Sequence, residues 1–299
     1  YAGPCKIEQR GTYDVPGGVP RTAAPTAPPR APRVSGPPVV FVHRAALSMF
    51  RENGHKVDIR LSLERFESPS VNIIGVVRGT DPKLRDEYVL FSSHQDHDGV
   101  RYAIDGDSIW NGADDNASTS VALLAIARAF VKQPAKRSVL FVFHGAEERG
   151  LLGSRYHAAH PVVPIQNIVA VLNGDMIGRN NPDSAALLGS QPPHRNSSEL
   201  VQMALAANAA TGAFHIDSLW DRPTHPEGWY FRSDHVPYAR VGVPALMFST
   251  NLHPDYHTPR DEPQRIDYPK LLHMTKWIYE TGWMVANADR FGWVHPEWA

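Results

Sequence analysis

The stretch Ser138-Val-Leu-Phe-Val-Phe143 is almost wholly apolar, and it follows a helical pattern over residues 116–132. In that pattern apolar side chains recur three and four residues apart, and Pro134 lies just beyond the end. An apolar run without alternation is typical of a strand that is covered on both faces. The two segments together predict a helix that leads into a buried strand of an α/β sheet.

The same alternation of strand and helix patterns extends in both directions from this stretch. The patterns predict strands over residues 39–42, 56–63, 72–77, 88–92, 138–143, 167–172 and 243–248, and helices over residues 45–53, 116–132, 197–210 and 268–287. Strands that alternate with helices predict an α/β fold. We therefore expect a mixed, mostly parallel central sheet with helices on both faces.

The segment before residue 39 has a different composition. Eight prolines lie between Val15 and Pro38, mixed with Gly, Ala and Thr. Proline fixes φ and removes a backbone donor, so this stretch favours neither a helix nor a central strand. We expect residues 1–38 to form a Pro-rich arm or linker, or the remnant of an insertion domain, and residues 39–299 to form one catalytic domain.

Composition excludes several classes of function. The 299 residues include 30 basic and 31 acidic side chains, for a net charge of −1, which argues against a general electrostatic grip on nucleic acid or on an anionic membrane. No run approaches the roughly 20 apolar residues of a membrane span. The single cysteine excludes an intrachain disulfide and a thiolate zinc cluster. The 15 histidines are either ligands or background.

Polar side chains follow four of the predicted strands, and one more carboxylate cluster opens a helix. The segments are His94-Gln-Asp96-His97, Asp114-Asp115-Asn116, Glu147-Glu148, Asn173-Gly-Asp175 and His253-Pro-Asp-Tyr-His257. Ligands in open α/β sheets bind beyond the carboxyl ends of the strands. Imidazoles and carboxylates without cysteine suit Zn²⁺, Co²⁺ or Mn²⁺, and one bridging carboxylate would let five ligands hold two ions and a hydroxide nucleophile.

These motifs, in this order and spacing, resemble the M28 family of two-zinc aminopeptidases. The resemblance rests on Ser93-His-Gln-Asp-His97, Gly112-Ala-Asp-Asp-Asn-Ala-Ser118, Glu147-Glu-x-Gly150, Asn173-Gly-Asp-Met176 and Tyr256-His-Thr-x-x-Asp261, and it covers about residues 39–288. It implies the fold of the zinc peptidases, two Zn²⁺ ions and a peptide substrate.

The resemblance also implies a role for each motif residue. His94 and Asp175 would bind one zinc, Glu148 and His257 the other, Asp114 would bridge both, Glu147 would be the general base, and Asp96 would orient His94. It implies a cis peptide bond between Asp114 and Asp115. Asp261 would support His257.

Other residues are assigned weaker roles. Ser233, Asp234 and Tyr256 are candidate substrate contacts, although helix capping would explain the first two equally well. We interpret four further histidines as structural or solvated, and three aspartates as loop and turn residues. These are His97, His144, His157 and His160, and Asp98, Asp105 and Asp107.

The sequence therefore predicts a zinc-dependent exopeptidase, an aminopeptidase that uses a metal-bridging hydroxide with Glu147 as the base. A carboxypeptidase, a dipeptidase or a glutaminyl cyclase on the same scaffold is the alternative. A receptor-like binding domain is a further one, but every implied ligand position is occupied by a competent residue. Resemblance to exported bacterial enzymes predicts a secreted or periplasmic location, with any signal peptide outside these residues.

Overall fold

A computed structural model describes Ser48, Phe50, Arg51 and residues 68–291. The chain divides into two units, Tyr1–Pro69 and Ser70–Ala299. The predicted Pro-rich arm and the elements predicted over 39–42, 45–53 and 56–63 lie outside the described residues, apart from Ser48, Phe50 and Arg51. The fold below is that of the second unit.

Within residues 68–291, nine strands form a seven-stranded sheet and a separate hairpin. They are β1 (Ile73–Val77), β2 (Tyr88–His94), β3 (Gly99–Ile104), β4 (Asp107–Trp110), β5 (Ser138–His144), β6 (Ile168–Gly174), β7 (Ser184–Leu188), β8 (His215–Ile216) and β9 (Ala245–Ser249). The large sheet has the order β1-β5-β2-β6-β9-β7-β8. Its four central strands, β5, β2, β6 and β9, are parallel, and β1 and β7 pair antiparallel to them.

In the same part of the chain, five α-helices cover the sheet. They are α1 (Thr119–Lys132), α2 (Leu152–Ala159), α3 (Ser198–Thr211), α4 (His235–Arg240) and α5 (Tyr268–Asn287). Alternate residues of β2 point to opposite faces, so Val89 and Phe91 pack with α1, α3 and α5, whereas Leu90 packs with α2 and α4. The predicted mixed, mostly parallel sheet with helices on both faces is confirmed.

The sequence patterns did not predict the hairpin of β3 and β4. Its turn is Asp105-Gly106, and both residues have positive φ, so the interpretation of Asp105 as a turn residue is confirmed. Asp107 begins β4 rather than lying in the turn, and its carboxylate accepts a hydrogen bond from the Ile109 amide. No helix among the described residues is long and apolar enough to cross a membrane.

Candidate metal centre

The parallel strands deliver the predicted motifs to one edge of the sheet. His94 is the last residue of β2, and Asp175 directly follows β6, the neighbour of β2 on one side. Glu147 and Glu148 lie in the turn after β5, the neighbour on the other side. His257 lies in the loop after β9. Residues that are distant in the sequence therefore meet in space because their strands end together.

The carboxylate of Asp115 lies at the centre of this edge. Its Oδ1 is 3.1 Å from Nε2 of His94, and its Oδ2 is 3.0 Å from Nε2 of His257. Asp175 completes a set of ligand atoms on the His94 side, and Glu148 belongs to the set on the His257 side. One carboxylate thus offers one oxygen to each of two ligand sets, which is the arrangement of a bridging ligand.

The structure brings Asp115 to the two ligand sets, and not Asp114, the residue predicted to bridge them. Asp114 points away from both ligand sets, where its Oδ1 accepts a hydrogen bond of 2.7 Å from the Gly178 amide and its Oδ2 lies 3.4 Å from Nε2 of His253. The chain turns within Ala113–Ser118 with non-helical φ and ψ at Asp115 and Asn116. That turn aims the second aspartate, not the first, at the site.

The predicted cis peptide bond is displaced in the same way. It joins Asp115 to Asn116 rather than Asp114 to Asp115. The Asn116 side chain fixes the turn against the end of β6, since its Nδ2 donates to the Gly174 carbonyl over 2.9 Å. The same side chain accepts from the Met176 amide at 3.3 Å.

Asp261 supports Asp115, and the expected contact with His257 is not its role. The buried Asp261 carboxylate accepts hydrogen bonds from the amides of Asp114 and Asp115, each at about 3.0 Å. These bonds hold the turn that carries the central carboxylate. The carboxylate that lies nearest the other ring nitrogen of His257 belongs to Asp98, 3.8 Å from Nδ1. Asp98 is therefore a buried part of the site rather than an ordinary loop residue.

His94 is oriented by the main chain of Asp96. Its Nδ1 lies 2.9 Å from the Asp96 carbonyl, whereas the Asp96 carboxylate is 3.9 Å away. A carbonyl only accepts, so Nδ1 carries a proton, and Nε2 is the atom that can ligate. The expected orienting role of the Asp96 side chain is replaced by a different one: its two oxygens accept from the amides of Glu147 and Glu148, at 2.9 and 3.2 Å.

His97 enters the site, although its sequence position was interpreted as structural. Its Nδ1 is 2.9 Å from Oε1 of Glu148 and 3.9 Å from Oδ2 of Asp115. Together with His257 these residues form a set of four whose ligand atoms all lie within 4.8 Å of one another. The only signal in the sequence was the position of His97 three residues after His94.

Glu147 is partly buried and close to other negative charges. Burial raises the pKa of its carboxyl well above the ordinary value; His94 opposes that shift, and the carboxylates of Asp234 and Asp175 add to it. An elevated pKa suits a group that must accept a proton and later release it near neutral pH. The hydrogen bond from its amide to Asp96 fixes the backbone that presents it.

The pKa values of the two candidate ligand histidines, His94 and His257, are raised. Burial alone would lower the pKa of His257, but the Asp115 and Glu148 carboxylates outweigh it and raise the pKa to about 9. Burial also opposes the shift at His94, whose pKa is raised well above its ordinary value by Glu147 and Asp175. Both shifts report a surplus of negative charge that cations would neutralise.

The three candidate substrate residues occupy different places. Ser233 is fully buried and donates to Oδ2 of Asp175 over 2.6 Å, so it holds a candidate ligand in place. Asp234 is also fully buried, and burial raises its pKa to about 7. Tyr256 is partly exposed; its ring stacks on His257 with centroids 3.9 Å apart, and its hydroxyl accepts from Arg232 at 3.0 Å. Of the three, Tyr256 is the one that a substrate can reach.

Three of the other histidines lie away from the ligand sets. His144 and His157 are buried around the hydroxyl of Tyr238, which is 2.6 Å from Nδ1 of His157. Burial lowers the pKa of His157 to about 4, so both rings belong to a neutral core network. His160 is exposed and stacks on Tyr156. Their interpretation as structural or solvated agrees with these positions.

The residues at this edge fit metal ions. Among the described residues, Nε2 of His94, Nδ1 of His97 and Oε1 of Glu148 are buried without a hydrogen-bond partner. Buried polar atoms are rarely left unpaired in proteins, so these atoms point to a missing partner. Imidazole nitrogens and carboxylate oxygens are donors that Zn²⁺ accepts.

A family model described as Peptidase family M28 matches residues 72–282, which contain every residue of the two ligand sets. The chain belongs to this family. The match confirms the resemblance that the motifs indicated.

Two curated relatives of this M28 chain are named as aminopeptidases. Aminopeptidase YwaD of Bacillus subtilis (strain 168) is 26% identical over 268 residues, which is 84% of this chain and 54% of the relative. Leucine aminopeptidase 1 of Trichophyton rubrum is 26% identical over 223 residues, 69% of this chain and 56% of the relative. The chain spans about half the length of the curated relatives it matches.

Solved structures share the fold of this M28 chain. The aminopeptidase from Aneurinibacillus sp. strain AM-1 has a TM-score of 0.58 and 24% identity, covering 75% of this chain and 50% of that one. A zinc aminopeptidase from Bacillus subtilis has a TM-score of 0.56 and 21% identity, covering 73% of this chain and 51% of that one. These similarities support the α/β architecture.

Proposed function

We propose that this chain is a zinc-dependent aminopeptidase that removes amino-terminal residues from peptides, with two zinc ions and with Glu147 as the general base. The observation that carries the proposal is the Asp115 carboxylate, whose two oxygens face two separate sets of ligand atoms. A carboxylate shared in this way would hold two ions close together, as a hydrolytic site with two ions requires.

The ligand sets divide the site residues between two positions. His94 and Asp175 would hold one ion, Glu148 and His257 the other, and Asp115 both. Zinc bound there would lower the pKa of the attacking water and polarise the scissile carbonyl. Three ligand carboxylates against two divalent cations leave a small positive charge, which is favourable for an anionic transition state.

Glu147 moves the proton in this scheme. Its carboxylate takes a proton from the attacking water and delivers it to the nitrogen of the leaving amine. Asp96 keeps the backbone of Glu147 and Glu148 in one geometry, so the base and a ligand are positioned by the same side chain. Ser233 prevents Asp175 from rotating, since it donates to Oδ2 and leaves Oδ1 facing His94.

The direction of cleavage is supported by the names of two relatives, which are called aminopeptidases. It is tested by incubating the zinc-loaded chain with a mixture of peptides and identifying the products by mass spectrometry. Ladders shortened from the amino end are expected. Ladders shortened from the carboxyl end would contradict the aminopeptidase assignment. Cyclisation of amino-terminal glutamine without shortening would identify a cyclase.

Zinc affinity is expected to rise with pH between 6 and 8. His257 must lose its proton to ligate, and its pKa of about 9 without metal means that the proton competes with zinc throughout this range. Each proton displaced increases the apparent affinity about tenfold per pH unit. Competition with a chromophoric chelator measures this slope. An affinity that is constant from pH 6 to 8 would show that no ligand is protonated in the free protein.

Asp96→Asn is expected to lower kcat by about 10–100-fold, because asparagine offers one acceptor oxygen where Asp96 offers two to the amides of Glu147 and Glu148. The matched control is Asp107→Asn. Asp107 also accepts from a backbone amide, but it lies in the exposed β3–β4 hairpin. Steady-state kinetics with zinc counted in the same samples measures the effect. Equal kcat in both variants would refute the positioning role.

Export of the protein stays a prediction. The family resemblance carries it, together with a composition that does not contradict it. Fractionation of the producing cells, followed by immunoblotting, would find the protein outside the cytoplasm. Recovery in the cytoplasmic fraction alone would contradict it.

A further inference from the structure

His97 is the one member of the ligand sets that the M28 motifs do not require. Its side chain is 8% exposed, and it faces the His257 side of the site rather than the His94 side. Both of its ring nitrogens are buried without a hydrogen-bond partner among the described residues. A buried imidazole with two unpaired nitrogens calls for an explanation.

The position of Nδ1 supplies the first part of that explanation. Nδ1 of His97, Oε1 of Glu148, Nε2 of His257 and Oδ2 of Asp115 surround one point, and four of the separations between them run from 2.9 to 3.9 Å. Ligands about 2.0–2.1 Å from a tetrahedral zinc are about 3.3–3.4 Å apart. The observed separations bracket that value.

The pair of His97 and Glu148 supplies the second part. Nδ1 of His97 is 2.9 Å from Oε1 of Glu148, and both atoms are buried without a well-aligned hydrogen bond. A lone pair on each atom is therefore available to an ion that lies between them.

The backbone at Gly112 gives a third observation, because it leaves space for the His97 imidazole. Gly112 has φ of +66° and lies against His97, and a Cβ at that position would collide with the imidazole Cγ. On its other side the ring meets His257 edge-on, with centroids 5.3 Å apart. The ring is thus held between the turn that carries Asp115 and the loop that carries His257.

We propose that His97 is a metal ligand, through Nδ1, of the ion that Glu148 and His257 hold. The inference rests on the proposed two-zinc site. With His97, one ion has four protein ligands, whereas the ion at His94, Asp175 and Asp115 has three. Four protein ligands close a zinc site and three leave a position open. The His97 ion is therefore the tighter one, and the His94 ion is the one that keeps a free position for substrate.

The test compares the unaltered 299-residue chain with His97→Asn. The amide nitrogen of asparagine can stand near the place of Nδ1 and donate to Glu148, but it is a poor zinc ligand, so the variant separates ligation from positioning. His160→Asn is the control, since His160 is exposed and remote from the ligand sets. Circular dichroism of the metal-free proteins checks that all three fold.

Zinc titration against a chromophoric chelator, and the visible spectrum with one equivalent of Co²⁺, are the two readouts. In the unaltered chain two affinities are expected. His97→Asn is expected to weaken the tighter zinc affinity by at least about 10–100-fold. Removing a residue that only hydrogen-bonds to a metal ligand already costs that much. The looser affinity should stay within about twofold, and the Co²⁺ spectrum should change. Unchanged affinities and an unchanged spectrum would overturn the inference.

X-ray absorption on the unaltered chain with one equivalent of zinc gives an independent answer if the variant does not fold. Two imidazole ligands are expected, from His97 and His257. A single imidazole would overturn the inference. If the unaltered chain takes up fewer than two zinc ions at saturation, the proposed two-zinc function is wrong. This measurement needs no variant, so it distinguishes failure of the proposed function from failure of the inference about His97.

Discussion

Glu147→Gln is expected to lower kcat by about 10²–10⁴-fold while the chain keeps two zinc ions, because glutamine cannot accept the proton of the attacking water. The substitution preserves the size of the side chain and the amide that bonds to Asp96. Burial and nearby carboxylates raise the pKa of Glu147, so the wild-type group is suited to proton transfer near neutral pH. Single-turnover kinetics with elemental analysis of the same samples measures both quantities.

The matched control for this variant is Glu148→Gln at the adjacent position. Glu148 is in contact with His97 and His257, at 2.9 and 3.2 Å, so its change is expected to remove zinc as well as activity. Glu147→Gln is therefore expected to keep zinc, and Glu148→Gln to lose it. This difference would distinguish a general base from a metal ligand. Near-normal turnover in Glu147→Gln would refute the general-base assignment.

Asp115→Asn is expected to abolish binding of at least one zinc ion and to reduce activity as strongly as Glu147→Gln. Asparagine keeps the shape of the side chain but removes its charge and leaves one oxygen for two ligand sets. The carboxylate in the wild type offers Oδ1 to the His94 side and Oδ2 to the His257 side. Zinc per chain, measured by elemental analysis after dialysis, gives the result.

Asp114→Asn is the control for Asp115→Asn, because it tests the one-residue difference directly. Asparagine at position 114 keeps an oxygen for the Gly178 amide, and the original carboxylate does not face either ligand set. This variant is expected to retain two zinc ions. If it lost zinc while Asp115→Asn kept it, the bridge would be Asp114 after all.

Much of the site could be predicted from the sequence because burial in the strands is strongly patterned. β2 and β5 are apolar runs that end in His94 and His144, and parallel neighbours must end at the same edge. Which side chains meet there therefore follows from where each run stops. The same logic placed Asp175 at the end of β6.

The residues whose positions the sequence does not predict lie in irregular segments, where side chains follow neither the helix nor the strand repeat. Asp114 and Asp115 are chemically identical neighbours, and only the non-helical backbone at Asp115 and Asn116 decides which one faces the ligands. His97 is carried into the site by an irregular loop and by the space at Gly112. Spacing along the chain contains neither piece of information.

Short strands are the other elements that the sequence patterns do not predict. β3 and β4 are six and four residues long, and most of their side chains are exposed, so they lack the apolar signal of a central strand. β7 is a buried strand of only five residues that pairs antiparallel with β9. Tertiary pairing, rather than local pattern, defines these strands.

In the proposed site one carboxylate, that of Asp115, joins two zinc ions. The most direct test is a crystal structure of the zinc-loaded chain with anomalous data collected at the zinc edge. Two peaks are expected, one beside His94 and Asp175 and one beside Glu148 and His257, each within about 2.0–2.2 Å of a different Asp115 oxygen. A single peak, or two peaks that contact Asp114 instead, would contradict it.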